Sequence, residues 1–152
     1  MKKFNVIDIL IILGVIGAIG GGIWFFSTTA ATDDGYVEFV VELRQAMPYF
    51  TEQLLPGMEI RDSIRNHVLG RVVEFWQQPA VTMTFNYETN TFSNVVVPDR
   101  YDVYILIRGR GSWNDSHILT EGQPVRVGMD KFLRARGVAG IGVVVDVTTI
   151  SN

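Results

Sequence analysis

The feature that most constrains this chain is the stretch from Phe4 to Phe26, FNVIDILIILGVIGAIGGGIWFF, with Asp8 as its only charge. About 20 apolar residues in a helix span a bilayer core, and a buried core helix of this length would show a polar face that this one lacks. The expectation is an N-terminal transmembrane α-helix over residues 1–26. Lys2 and Lys3 flank one end and Asp33 and Asp34 follow the other. The positive-inside rule then places the N-terminus in the cytoplasm and the C-terminal domain outside, as a single-pass protein of the cytoplasmic membrane. Trp24, Phe25 and Phe26 fit an aromatic belt at the outer interface. The rival reading is a cleaved signal peptide, with Thr28 and Ala30 or Thr29 and Ala31 as a cleavage site. The apolar run exceeds the roughly 7 to 15 residues of a signal h-region, which favours an uncleaved anchor.

Within the run, Gly14, Gly17, Ala18, Gly21 and Gly22 create small-xxx-small spacings that let a second helix approach closely, although glycine is also common in membrane helices. Asp8 either snorkels to the nearby headgroups or makes a polar contact with a partner's helix. These six residues are the candidate helix–helix contact. Phe4 followed by Asp8 also resembles the start of a type IV pilin, but Lys3 stands where that family cleaves after glycine, and its acid is usually glutamate. A filament subunit is the minor alternative that this likeness implies.

Composition matters mainly for what it excludes. The chain of 152 residues is 47% hydrophobic and 19% charged, against about 25% charged in an ordinary soluble domain. The excess lies in the anchor, and roughly 115 residues remain, enough for one domain. The absence of cysteine excludes disulfides, a thiolate metal site and a cysteine nucleophile. A net charge of −3 argues against nucleic acid as a partner.

Residues 27–35, STTAATDDG, read as a polar linker, and residues 36–152 as an extracytoplasmic β domain. Val37, Phe39, Val41 and Leu43 alternate with polar neighbours, as a half-buried strand does. Further strands are expected at Met58 to Arg61, Gly70 to Trp76, Tyr101 to Ile107, Pro124 to Val127 and Gly140 to Ile150. Pro79 is expected to break the chain before a hairpin over residues 80–97, turning at Glu88, Thr89 and Asn90 and stopped by Pro98. Short helices are expected near Tyr49 to Leu55 and Asp130 to Arg136.

The halves 36–76 and 101–150 share a pattern. Tyr36 and Tyr101 start similar stretches that reach Gly57 and Gly122, then Arg61 and Arg126, at an offset of 65. GRVVEF from Gly70 and GVVVDV from Gly142 match at an offset of 72. A three-strand unit cannot bury both faces alone, so the expectation is a small β-barrel of two similar β units. At the offset of 65 the alternation of Val103, Ile105 and Ile107 is one residue out of phase with Phe39 and Val41, which needs a bulge to correct it.

NVIDILI from Asn5, PGMEIRD, LGRVVEF, RYDV from Arg100 and QPVRVGM through GVAGIGVVVDV together resemble the bacterial single-pass membrane family called domain of unknown function 4330. That resemblance implies an anchor followed by a β domain, and it brings no activity or catalytic residue. A weaker likeness, to the mammalian-cell-entry domain of lipid-transport systems, rests on Leu55, Gly57, Met58, Ile60, Arg61, Leu69, Gly70, Arg71 and Val72. Asp62-Ser63 replaces an expected glycine there. The likeness implies a lipid-handling module as an alternative.

No catalytic, cofactor-binding or metal residues are expected. His67 and His117 lie in different halves without ligand spacing. Asp62, Ser63 and His67, or Asp115, Ser116 and His117, contain triad ingredients, but triads are assembled by geometry rather than adjacency. Arg126, Lys131, Arg134 and Arg136 form one basic cluster, either a solvated loop or a contact for anionic lipid or polymer. The functional expectation is a non-enzymatic, membrane-anchored envelope protein. Its partners are the bilayer and, within a larger assembly, further copies of itself or another envelope protein.

Overall fold

Alternating apolar and polar residues become sheet along most of the chain. The computed structural model describes residues 15–17 and 33–151, in two units, Met1–Thr32 and Asp33–Asn152. In the first unit residues 15–17 are helical and exposed. Asp8, Gly14, Ala18, Gly21 and Gly22 lie outside the described residues, as does the rest of the expected membrane span. Among the described residues no helix is long and apolar enough to cross a membrane.

The second unit is mainly β. Its elements are β1 (Asp33–Ala46), α1 (Pro48–Glu52), β2 (Glu59–Asp62), β3 (Val68–Asn86), β4 (Thr91–Trp113), β5 (Ile118–Thr120), β6 (Gln123–Pro124), β7 (Asp130–Ala135) and β8 (Val138–Ser151). The strands lie in the order β1-β8-β7-β2-β3-β4-β5-β6, and β1 also pairs with β4, so six of them close into an antiparallel ring. Val37, Phe39, Val41 and Leu43 of β1, Val103, Ile105 and Ile107 of β4, and Val72, Leu133 and Val144 meet in one buried cluster. Phe50 of α1, with Leu54 and Val125, joins it. Pro48 opens α1, where its missing N–H costs nothing.

The two halves of the ring follow one hydrogen-bond plan. The Gly57 amide donates to the Val72 carbonyl at 2.7 Å, and the Val72 amide to the Met58 carbonyl at 2.9 Å. The Gly128 amide donates to the Val144 carbonyl at 2.7 Å, and the Val144 amide to the Met129 carbonyl at 2.9 Å. Both glycines adopt positive φ, +82° and +84°, the left-handed conformation that glycine takes without a side-chain clash. Against β4, Val72 pairs with Ile107 and Glu74 with Leu106, so Val73 is a bulge. Against β1, Val144 pairs with Val41 and Asp146 with Val40, so Val145 is the corresponding bulge. These bonds match Val37, Phe39 and Val41 with Val103, Ile105 and Ile107, all buried.

That alignment corrects the expected one. The offset along β1 and β4 is 66 rather than 65, so the faces are in phase with no bulge between Val37 and Val41 or between Val103 and Ile107; the one register shift between the two strands lies beyond Leu43. Gly57 corresponds to Gly128, not Gly122, and Arg61 to Phe132, not Arg126. The match of Gly70 with Gly142 stands.

Other differences have local causes. Asp130–Ala135 is strand β7 rather than a helix, because it is paired on both sides, with β8 and with β2. β1 begins at Asp33, inside the expected linker. Pro79 does not end its strand: β3 shifts register between Pro79 and Val81, in a stretch where β2 no longer pairs with it. A proline without an N–H is tolerated where the outer edge has no partner. β4 likewise runs through Pro98.

Candidate interaction surface

Beyond that register shift, β3 and β4 continue as a two-stranded ribbon. Val81 pairs with Val96, Met83 with Asn94, Phe85 with Phe92, while Thr82 pairs with Val95, Thr84 with Ser93 and Asn86 with Thr91. Directly paired residues share a face, and successive residues alternate. One face therefore carries Val81, Met83, Phe85, Phe92, Asn94 and Val96, and the other is mostly hydroxyl and amide. Among the described residues nothing covers the apolar face: Met83 is 68% exposed, Phe92 69% and the neighbouring Tyr87 88%. Phe85 meets both Tyr87 and Phe92 edge-on at centroid distances of 5.0 Å. The tip is held by the Asn86 side chain, whose Oδ1 accepts from the Glu88 amide at 2.9 Å. From Val81 to Val97 the only charge is Glu88.

At the root of the same strands the solvent face carries a polar network. Trp76 stacks on Tyr104, 5.4 Å between centroids and 7° between planes. The Tyr104 hydroxyl donates to Glu42 Oε1 at 2.9 Å and accepts from Gln78 Nε2 at 2.8 Å. Arg44 Nε donates to Glu42 Oε2 at 3.0 Å. Burial, then the Glu42 carboxylate, pushes the Tyr104 phenol above its ordinary range. A nearby cleft of about 550 Å³ brings Arg71, Arg108 and Arg110 beside Glu59 and Glu121. Its acidic partners are engaged: Arg61 Nε donates to Glu59 at 2.7 Å and the Arg110 amide to Glu121 at 2.9 Å.

The sequence model of the family described as Domain of unknown function (DUF4330) matches residues 1–148. The chain belongs to that family. No curated protein and no solved structure matches it. For this DUF4330 chain the chemistry must therefore be read from its own residues.

The four basic candidates do not form one patch. Lys131 is buried, and its Nζ donates to the Pro124 carbonyl at 2.7 Å. Its inward position on β7, between two paired strands, removes it from any surface contact. Burial pulls its ammonium below the ordinary range, partly opposed by Asp62. Arg134 is exposed and its Nη2 donates to Asn66 Oδ1 at 2.6 Å. Arg126 and Arg136 are exposed but lie beyond opposite ends of β7, a strand of six residues that spans roughly 20 Å.

The triad ingredients serve turns. Asp62 Oδ1 accepts from the amides of Ile64 at 2.8 Å and Arg65 at 2.7 Å. Burial raises the Asp62 pKa, but these two donors together with the Lys131 and Arg65 charges outweigh it and hold the carboxyl below its usual range. Asn114 Oδ1 accepts from the amides of Ser116 and His117 at 2.9 and 3.0 Å. Among the described residues no group of three or more metal-ligating side chains comes together.

Proposed function

We propose that this chain is a non-enzymatic, membrane-anchored cell-envelope protein whose β domain is an interaction module within a larger assembly. The domain reads as a duplicated three-strand unit closed into a six-stranded barrel, which the matched bulges at Val73 and Val145 support. The observation that carries the functional reading is the β3–β4 ribbon, which presents a nearly uncharged apolar face to solvent. Contiguous exposed apolar patches on soluble domains mark association sites. The apolar run from Phe4 to Phe26 supports the membrane address.

Because the chain has no cysteine, a single Glu88→Cys substitution gives a clean topology probe. A membrane-impermeant maleimide should label the full chain in intact spheroplasts; labelling only after lysis overturns the extracytoplasmic placement. Native electrophoresis of membranes extracted in mild detergent should show the wild-type chain above monomer mass. A monomer overturns the assembly reading.

A further inference from the structure

We propose that the apolar face of the β3–β4 ribbon is the seat of a second copy of this chain, the two ribbons packing face to face about a twofold axis near Met83 and Asn94. The inference rests on the assembly reading above and names its surface. Three observations select this occupant. Covering Val81, Met83, Phe85, Tyr87, Phe92 and Val96 removes on the order of 800 Å² from water, about what one partner contributes to a standard interface. An isolated two-stranded ribbon is marginal in water and gains from such cover. The ribbon also lacks any Lys or Arg between Val81 and Val97, so it offers nothing to anionic headgroups or to an acidic partner, whereas an uncharged face meets its own copy without repulsion.

The sequence of the face sets the arrangement. Met83 and Asn94 form the central pair, with Val81 and Val96 on one side and Phe85 and Phe92 on the other. An axis through this pair sets Asn94 against the second copy's Asn94, and an amide carries both donors and acceptors for that contact. It also sends the two Glu88 carboxylates to opposite ends, about 30 Å apart at strand rise, well beyond the screening length of about 8 Å in physiological salt. A parallel arrangement brings those carboxylates together. Symmetric contacts of this kind are self-complementary and closed.

The test uses full-length chains in their native membrane. Asn94→Cys and, separately, Ser93→Cys, which sits on the opposite face, are oxidised in the membrane and then run on non-reducing gels. Asn94→Cys should give a band at twice the chain mass and Ser93→Cys should not. Adding Met83→Lys to the Asn94→Cys chain should reduce the crosslink at least tenfold, while Thr84→Lys on the other face leaves it unchanged. Equal crosslinking at both positions, or none at Asn94, overturns the twofold packing. If Asn94 fails to crosslink while native electrophoresis still shows a species above monomer mass, the ribbon inference fails and the assembly reading survives; a monomer removes both. A monomeric chain whose domain is held to neutral phosphatidylcholine vesicles in a Met83-dependent way assigns the face to the bilayer instead.

Discussion

The two halves of the ring share the hydrogen bonds of the glycine turns and a one-residue bulge, but not their side chains. Phe39 on β1 corresponds to Ile105 on β4, Leu54 to Val125, and Ile60 to the buried Lys131. Leu43 corresponds to Gly109, where a Cβ would collide with the Thr120 hydroxyl and come within 2.9 Å of the Leu69 carbonyl. The halves share the backbone features that set register, a left-handed glycine and a one-residue bulge, while their core filling differs. Register is thus carried by backbone geometry more than by side-chain identity.

The strongest challenge to this comparison is in the core. Phe39→Ala should cost about 3–5 kcal/mol and Ile105→Ala about 2–5 kcal/mol, read as shifts in urea midpoint at constant slope. If only one of the two matters, the halves do not share a core. Next come the turns. A Cβ at Gly57 or at Gly128 meets nothing within 4 Å, so alanine there reports backbone strain alone, about 1–2 kcal/mol and equal at the two sites. Unequal losses break the equivalence. Tyr104→Phe removes the hydroxyl from Glu42 and Gln78 and should cost about 1 kcal/mol, since Glu42 keeps Arg44.

The smallest effect separates Lys131 from Ile60. Burial lowers the folded-state pKa of Lys131. Between that lowered value and the unfolded one the unfolded chain binds more protons, so stability rises with pH across the interval. Lys131→Met should flatten this rise in urea midpoints measured at stepped alkaline pH, and Ile60→Met should leave it. An unchanged slope in Lys131→Met shows that the ammonium is not paying for its burial.

Much of this was legible in the sequence, for physical reasons that also explain the errors. Period-two alternation located the cores of β1, β3, β4 and β8, and Gly70 and Gly142 marked the matched closing strands. The true counterpart of the Gly57-Met58 turn was visible as Gly128-Met129, but two tyrosines and Gly122 at a shorter offset competed with it. β7 was obscured because Lys131 points inward and Phe132 is only half-buried, an inversion of the usual polarity. The residues that resemble a mammalian-cell-entry motif, Leu55 to Val72, fall on the Gly57 turn, β2 and the start of β3. The basic cluster was contiguous only along the chain, since a strand sends neighbouring side chains to opposite faces. The hairpin was visible, but its alternation of Val81, Met83 and Phe85 with threonines resembles a half-buried strand. Whether a neighbour covers that face is a tertiary property.

The double pairing of β1 has a consequence for how the chain acquires its structure. Among the described residues β1 pairs only with β4 and β8, whose partner residues lie far along the chain, whereas β3 and β4, and β7 and β8, are joined by short turns. Local hairpins form early and distant pairings late. The β3–β4 and β7–β8 hairpins are then the natural early structures, and β1 must wait for β8 before its second edge is satisfied. A ribosome-bound chain that has not yet released Val138–Ser151 holds that edge open, and a translational stop just before this segment yields a protein that cannot close.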